Sequence, residues 1–301
     1  MSLPDSMHVL QRGWLSSNNI LFIGREQTAL VDSGYATHAP QTLQLVSHLL
    51  QGRPLDLLLN THTHSDHVGG NAALQEAHGC RTIIPAAEAP AVRDWNEEAL
   101  SYRATGQQCP RFRFDATMAA GDNLILGDME WQVLGAPGHD PHSLILYCPA
   151  QRILISADAL WENGFGVIFP ELEGEPGFDA TRATLEQIAA LDVRLVIPGH
   201  GAPFSDVAGA LQRAFNRLDY LAADPARNAQ NGIKVLVKFR LLEKKRIPLA
   251  ELRQWMHEVP LLATSNRLHL RMAEEALADW TASQLVRAGV ARMEQGVLVD
   301  C

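Results

Sequence analysis

Lysine is missing from the first three quarters of this 301-residue chain; all four lysines (Lys234, Lys238, Lys244, Lys245) lie beyond residue 225. Residues 1–225 carry 13 arginines against 26 acids, whereas residues 226–301 carry 12 basic and 8 acidic residues. A composition shift of this kind marks a domain boundary, so we expect domains at 1–225 and 226–301. Cysteine is scarce as well. Cys80, Cys109, Cys148 and Cys301 are scattered and form no CxxC pair, which excludes a thiolate zinc knuckle and a small disulfide scaffold. No stretch approaches the ~20 apolar residues of a membrane span. The opening MSLPDSMHVLQRGW lacks the basic and apolar regions of a secretory signal, and a cytoplasmic protein is expected.

Short β-branched runs are plentiful. MHVLQRG, NNILFIG and TALVDSG read as three strands closed by glycine, and LDLLLN as a strand covered on both faces. DNLILG, MEWQVLGA, SLILYC, RILISAD and VRLVIPGHG continue the series. Helical stripes fall at PQTLQLVSHLLQG, NAALQEAHG and TRATLEQIAAL. Residues 88–118 read as a long irregular loop. Sheets packed between helical layers are the fold class implied. The last quarter differs: GIKVLVKFRLLEKKR sets Ile233, Leu236, Val237 and Leu241 on one face, LAELRQWMHE and LHLRMAEEALADWTASQLVRAG are also amphipathic, and VARMEQGVLVD reads as a hairpin. Three helices and a hairpin suggest a small, mainly helical, winged-helix-like domain.

The chemistry is concentrated in THTHSDHVGGN, residues 61–71. His62 and His64 alternate, so in an extended segment both rings face one point, and Asp66 and His67 follow as the chain turns. Gly69 and Gly70 are read as permitting a tight exit into a helix. Crowding such groups at a strand end is costly unless a cation offsets it. His139 in GAPGHDPHS, Asp158 in ISADAL and His200 in VIPGHG stand at or just after later strand ends, where distant residues converge. Five histidines and two aspartates suffice for two three-ligand sets sharing a bridging carboxylate. This donor set suits two divalent ions, Zn first and Fe or Mn as alternatives. Such ions can share a hydroxide at neutral pH and polarise a carbonyl or phosphoryl oxygen. His8, His38, His48, His78, His257 and His269 stand alone and are read as surface or satisfied core residues.

HTHSDH followed in order by PGH, SAD and PGHG resembles the metallo-β-lactamase superfamily, over about Met7 to Pro203. The resemblance implies an αββα sandwich with the metal centre at one edge of the paired sheets. It places His62, His64 and His139 on one metal, Asp66, His67 and His200 on the other, and Asp158 between them. Asp32 matches an aspartate that usually lies near the site. True β-lactamases of this superfamily usually lack the bridging aspartate and are exported, so antibiotic hydrolysis is not expected. The di-iron oxygen reductases carry Glu where this chain has His64. The implied function is a hydrolase of an ester, thioester or lactone, with Asp66 orienting the hydroxide. The alternatives are an enzyme cutting single-stranded RNA or another phosphodiester with the C-terminal domain holding substrate, a mononuclear iron persulfide dioxygenase, and a non-enzymatic ligand sensor.

One departure concerns the run GHDPHS, where the family usually has GHTxGS; His142 replaces a glycine and is a candidate proton donor. Trp161, Phe165, Phe169 and Phe178 follow Asp158 and are candidates to line a pocket. Arg103, Arg111 and Arg113, in the loop at 101–115, are candidates to hold an anionic substrate. The C-terminal helices are expected to pack on the catalytic domain, closing the pocket or forming a homodimer contact, in preference to binding nucleic acid, which a net charge of -9 would repel. A small-molecule substrate and no membrane contact complete the expectation.

Overall fold

The computed structural model describes residues 2–301. One sheet runs in chain order through β1 (Met7–Leu10), β2 (Asn19–Ile23), β3 (Thr28–Val31), β4 (Leu57–Leu59), β5 (Arg81–Pro85) and β6 (Ala116–Met118). β1 to β3 form an antiparallel meander, and β3 to β6 are parallel. Parallel neighbours need crossovers. These are α1 (Ala39–Leu50), then α2 (Ser65–Val68) with α3 (Asn71–His78), then α4 (Ala89–Asp94) with α5 (Tyr102–Thr105). The second sheet has the order β11-β10-β9-β8-β7, built from β7 (Asn123–Leu126), β8 (Met129–Gly135), β9 (Leu144–Cys148), β10 (Ile153–Ala157) and β11 (Leu195–Pro198). α6 (Phe169–Glu173) and α7 (Phe178–Ala189) connect β10 to β11, and α8 (Val207–Ala222) follows.

Side-chain alternation builds the layers. In β2, Ile20 and Phe22 enter the core between the sheets, where they meet Trp131, while Leu21 faces Val46 and Leu50 of α1 and Leu74 of α3. In β9, Leu144, Leu146 and Cys148 point to the inter-sheet core, and Ile145 and Tyr147 to α7 and α8. The result is the αββα sandwich expected from the sequence.

The chain continues through α9 (Pro225–Lys244), β12 (Arg246–Pro248), α10 (Leu249–Glu258), α11 (Pro260–Ser265), a π-helical turn (Asn266–Leu270), α12 (Glu274–Arg287), β13 (Ala291–Glu294) and β14 (Val297–Asp300). The three strands form an antiparallel sheet, β12-β14-β13. Ile233, Leu236, Val237 and Leu241 are buried together as their spacing predicts, and Val167 and Leu172 from before α7 complete that cluster. The C-terminal helices therefore share a core with the loop that follows Asp158.

Several expectations need correction. Residues 88–118 hold α4, α5 and β6 rather than one irregular loop. α8 was not anticipated, although Asp206 caps it by accepting from Gly209 N and its buried Ala210, Leu211, Ala214, Leu218 and Leu221 keep helical spacing. The amphipathic run from Leu268 is broken, because Arg271 turns left-handed (φ 54°) and the Asn266 amide bonds both the N–H and the carbonyl of Met272. Gly69 and Gly70 have ordinary helical φ values of -61° and -86°. Their role is close approach: a Cβ at either would strike the backbone of the 33–36 segment leaving β3.

Trp131 is fully buried, edge-on to Phe22 at 5.4 Å, and its indole N–H donates to Leu126 O at 3.2 Å. Trp131→Ala is expected to cost about 3–5 kcal/mol by urea denaturation; a cost below about 1 kcal/mol would mean the inter-sheet core is not a principal support.

Candidate metal centre

β3 and β4 end side by side, and Asp32 begins the site. Its backbone is left-handed (φ 59°), a strained position for a non-glycine residue. Its carboxylate accepts from Thr61 N at 2.9 Å, Thr61 Oγ1 at 2.8 Å and His67 Nδ1 at 2.8 Å. That last bond puts the His67 proton on Nδ1 and leaves the Nε2 lone pair aimed inward. Nε2 is buried and has no hydrogen-bond partner. It lies 3.5 Å from Asp158 Oδ2 and 4.0 Å from Asp66 Oδ2.

The seven residues fall into a group of three and a group of four, and Asp158 of the second reaches toward the first. His62 Nε2 lies 3.1 Å from His64 Nδ1, which lies 2.9 Å from His139 Nε2. His139 Nδ1 donates to Val167 O at 2.6 Å, so its Nε2 also presents a lone pair. Three converging imidazole nitrogens cannot all be satisfied by one another's protons, and a shared cation resolves the conflict. In the second group Asp66, His67, Asp158 and His200 each offer an atom within 4.8 Å of the others. His200 Nε2 is 3.0 Å from Asp66 Oδ2. Asp158 Oδ2 stands 3.3 Å from His139 Nε2 of the first group, between the two sets. The orphaned Nε2 and the converging lone pairs fit a pair of divalent ions.

The backbone makes room for this. Ala157 adopts φ 45° at the end of β10, turning Asp158 inward. A Cβ on Gly199 would overlap the Asp158 carboxylate, and one on Gly166 the His139 ring. Burial and neighbouring histidines push the His62 pKa well below its usual value, and burial brings His64 and His139 to about 4. Burial opposes ionisation of Asp158, but His200, His67 and His139 outweigh it and hold its pKa well below the usual range; His67 and His200 likewise outweigh burial at Asp66 and lower its pKa. Neutral imidazole and ionised carboxylate are the states that bind metal. His67 differs, since Asp32, Asp158 and Asp66 overcome its burial and raise its pKa well above normal. A cation at Nε2 supplies the positive charge those carboxylates favour.

A cleft opens over these groups. Trp161, Phe165 and Phe169 line it as the sequence suggested, and Phe169 meets the His64 and His139 rings edge-on at 5.0 and 5.4 Å. Trp161 Nε1 donates to Asp158 Oδ1 at 3.2 Å. Phe178 packs instead in the cluster under α7 and α8. Arg103, Arg111 and Arg113 do not line the cleft: Arg103 is exposed and pairs with Glu97 at 3.6 Å, Arg111 donates to Arg93 O, and the Arg113 side chain is exposed. Tyr102 and Phe112 take the inward positions of that segment, which turns the arginines outward. His142 is exposed and lines a separate depression beside Glu88, so it is not placed to give a proton at the metal groups. The consequence of GHDPHS lies with buried Asp140, which accepts from His142 N at 2.7 Å and sits 3.6 Å from His64 Nε2.

Sequence reasoning missed Trp14, Arg217 and the α9 residues Asn231, Val235, Leu236 and Phe239, all of which line the cleft. Trp14 is 57% exposed and stacks on His200, centroids 5.5 Å apart. No local signal singles these residues out, because their roles depend on how distant segments pack.

The sequence profile of the metallo-beta-lactamase superfamily matches residues 12–200. The chain belongs to the metallo-beta-lactamase superfamily. It is 30% identical over 162 residues to a hydroxyacylglutathione hydrolase of Rhizobium etli, covering 54% of each chain, and 27% identical over 199 residues to one from Brucella ovis, covering 66% of this chain and 65% of that one. The matches thus span about half to two thirds of the length of these curated relatives. Among solved structures, a metallo-beta-lactamase family protein of Thermus thermophilus aligns over 100% of both chains with a TM-score of 0.60 at 18% identity, a likeness of fold. A protein crystallised in a di-iron-bound form aligns over 69% of this chain and 98% of its own, with a TM-score of 0.56 at 26% identity.

Two expectations follow. Asp32→Asn removes the carboxylate that orients His67 and should weaken metal retention about 10–100-fold in chelator competition; unchanged retention would show that Asp32 does not orient a ligand. Glu88 is buried against Thr63, and burial followed by Asp140 raises its pKa to about 7. An acid whose folded pKa lies above its unfolded value of 4.5 contributes stability that is full below pH 4.5 and lost as pH rises through 7. Glu88→Gln should remove this loss, at most about 3 kcal/mol, so the variant and wild-type denaturation midpoints should diverge between pH 5 and 8. Parallel profiles would show that Glu88 ionises normally.

Proposed function

We propose that the chain is a dinuclear metal-dependent hydrolase of an ester, thioester or lactone, with Zn as the first choice of ion and Fe or Mn as alternatives. The observation that carries the reading is Asp158, standing between two convergent donor groups at the floor of an aromatic-lined cleft. His62, His64 and His139 would hold one ion, Asp66, His67 and His200 the other, and Asp158 both. Such a pair, when bound, supplies Lewis acidity toward water and toward an acyl oxygen.

The protein's own groups then account for the rest. Asp32 and Val167 O fix the rings of His67 and His139 by hydrogen bonds, and Asp140 lies 3.6 Å from His64 Nε2. Asp66 is the half-open carboxylate of the site, 14% exposed and lining the cleft, and is placed to orient water and accept its proton. Trp161 restrains Asp158 by its hydrogen bond. In the overall reaction a water oxygen bonds to the acyl carbon, the acyl C–O or C–S bond breaks, and the proton leaves with the alcohol or thiol. The aromatic wall excludes bulk water and favours an apolar acyl portion.

We read 1–225 as the catalytic domain and 226–301 as a winged-helix-like domain that roofs the cleft through α9. A small-molecule substrate is favoured over RNA. Supporting this, Lys238, Lys245, Arg246, Arg253 and Arg292 of the basic C-terminal segment are engaged by Asp300, Glu294 and Asp279, which leaves less free charge for phosphates. A cytoplasmic location is supported by four free cysteines. Among the described residues no helix is long and apolar enough to cross a membrane.

The test is elemental analysis followed by a panel of thioesters, esters, lactones and RNA. About two metal ions per chain and chelator-sensitive acyl hydrolysis are expected, with Asp158→Ala lowering kcat/KM at least about 100-fold. Activity only on RNA, or less than one ion per chain with activity indifferent to chelators, would overturn the reading.

A further inference from the structure

Arg217 is the unexplained cation of the cleft. It projects from α8, on the wall shared with Asn231 and Val235 of α9. Other arginines of α7 and α8 are occupied: Arg213 pairs with Asp206 at 3.2 Å and donates to Glu162 O, and Arg182 of α7 pairs with Asp219. Arg217 has no such partner among the described residues, and its Nε is buried without a hydrogen bond. A half-buried guanidinium with unmet donors is costly, and proteins normally pair it.

Two features hold Arg217 there rather than release it to solvent. Its guanidinium lies over the Phe165 ring, 5.7 Å from the centroid, a contact that orients the group and leaves its N–H edges free. Gly164, at φ 123°, leaves the space that the Arg217 stem fills; a Cβ there would come within 2.8 Å of Arg217 Cδ. An unpaired cation held in the wall of a cleft is what an anionic ligand would satisfy.

We propose that Arg217 binds an anionic group of the substrate, so that the enzyme acts on acyl compounds bearing a carboxylate. The inference rests on the acyl-hydrolase reading and narrows it. A guanidinium presents parallel N–H donors that match a carboxylate in two-point fashion. The aromatic span through Phe165 and Trp161 accommodates the apolar part of the molecule between the anion site and the scissile bond. This assignment replaces the exposed Arg103, Arg111 and Arg113 as the source of positive charge.

The experiment uses the full-length, metal-loaded protein and two matched thioesters, the phenylacetyl thioester of 3-mercaptopropionate and that of its amide. Wild type should prefer the carboxylate compound, and in Arg217→Met the ratio of the two kcat/KM values should fall about 10–100-fold, chiefly through KM. Arg217→Lys should restore part of the ratio. A second measurement does not need turnover: quenching of tryptophan fluorescence by the corresponding non-hydrolysable thioether acid should weaken about tenfold or more in Arg217→Met. It should also weaken with salt in wild type. Binding that depends on Arg217 without hydrolysis of either thioester would leave the anion site standing and remove the acyl-hydrolase reading. Hydrolysis with an unchanged ratio, or no binding of the thioether acid by wild type, would overturn the anion site.

Discussion

Seven ionisable side chains brought out of water at one edge of a sandwich are the constraint around which this structure is arranged. Left to themselves, His62, His64 and His139 would expose lone pairs to one another about 3 Å apart, and Asp66 and Asp158 would carry charge in a buried setting. Each carboxylate is held ionised by histidines, and His67 is held toward protonation by carboxylates. Such a set is stable only when its charges are balanced in place, and two divalent cations balance it without requiring every ring to find a proton. The features around it serve that balance. Asp32 and Ala157 accept left-handed backbone, and Gly166 and Gly199 give up side chains where a ring or a carboxylate must approach. The cost of these local strains is offset by the large apolar layers on both faces of each sheet.

The sandwich supplies the floor of the site, and the wall comes from elsewhere. Val167 links the two: its carbonyl fixes His139, and its side chain belongs to the core formed by α9, α10 and α12. The packing of the C-terminal helices is therefore mechanically coupled to metal-facing rings through Val167 and through Phe169, which packs on the same core and meets His64 and His139 edge-on. Because α9 contributes Asn231, Val235, Leu236 and Phe239 to the cleft, the same helix both anchors the last quarter of the chain and shapes what fits above the metals. A floor on rigid strand ends and a wall on a helix can vary independently, which is how one fold serves many substrates.

The legibility of the sequence follows the range of the interactions involved. The metal-type residues were readable because four of the seven lie in one short segment and the others follow strand ends, whereas Asp32 entered only through the family resemblance. Layering was readable from period-two alternation in β2 and β9. By contrast, Arg217 and Trp14 look like any surface residue in sequence, since what distinguishes them is the proximity of Phe165 and His200 across long separations. The arginines at 103, 111 and 113 misled for the complementary reason: a cationic loop has no directional signal, and inward Tyr102 and Phe112 decide which way it faces. His142 misled because a substituted motif position was taken to face the site, when the effective change is Asp140 behind His64.

Charge distribution gives the site its selectivity at two length scales. The chain carries a net charge of -9, and its first 225 residues hold twice as many acids as arginines, so at long range an anion is repelled. That repulsion is screened beyond about 8–10 Å at ordinary salt. Inside the cleft the balance reverses, because Arg217 is unpaired among the described residues, the donor groups call for cations, and aromatic walls lower the local dielectric. An anion small enough to enter experiences that inner field, whereas a polyanion too large to enter experiences the acidic exterior along its length. Entry size and charge thus act together, so the exterior that repels nucleic acid and the interior that attracts a single carboxylate are parts of the same arrangement.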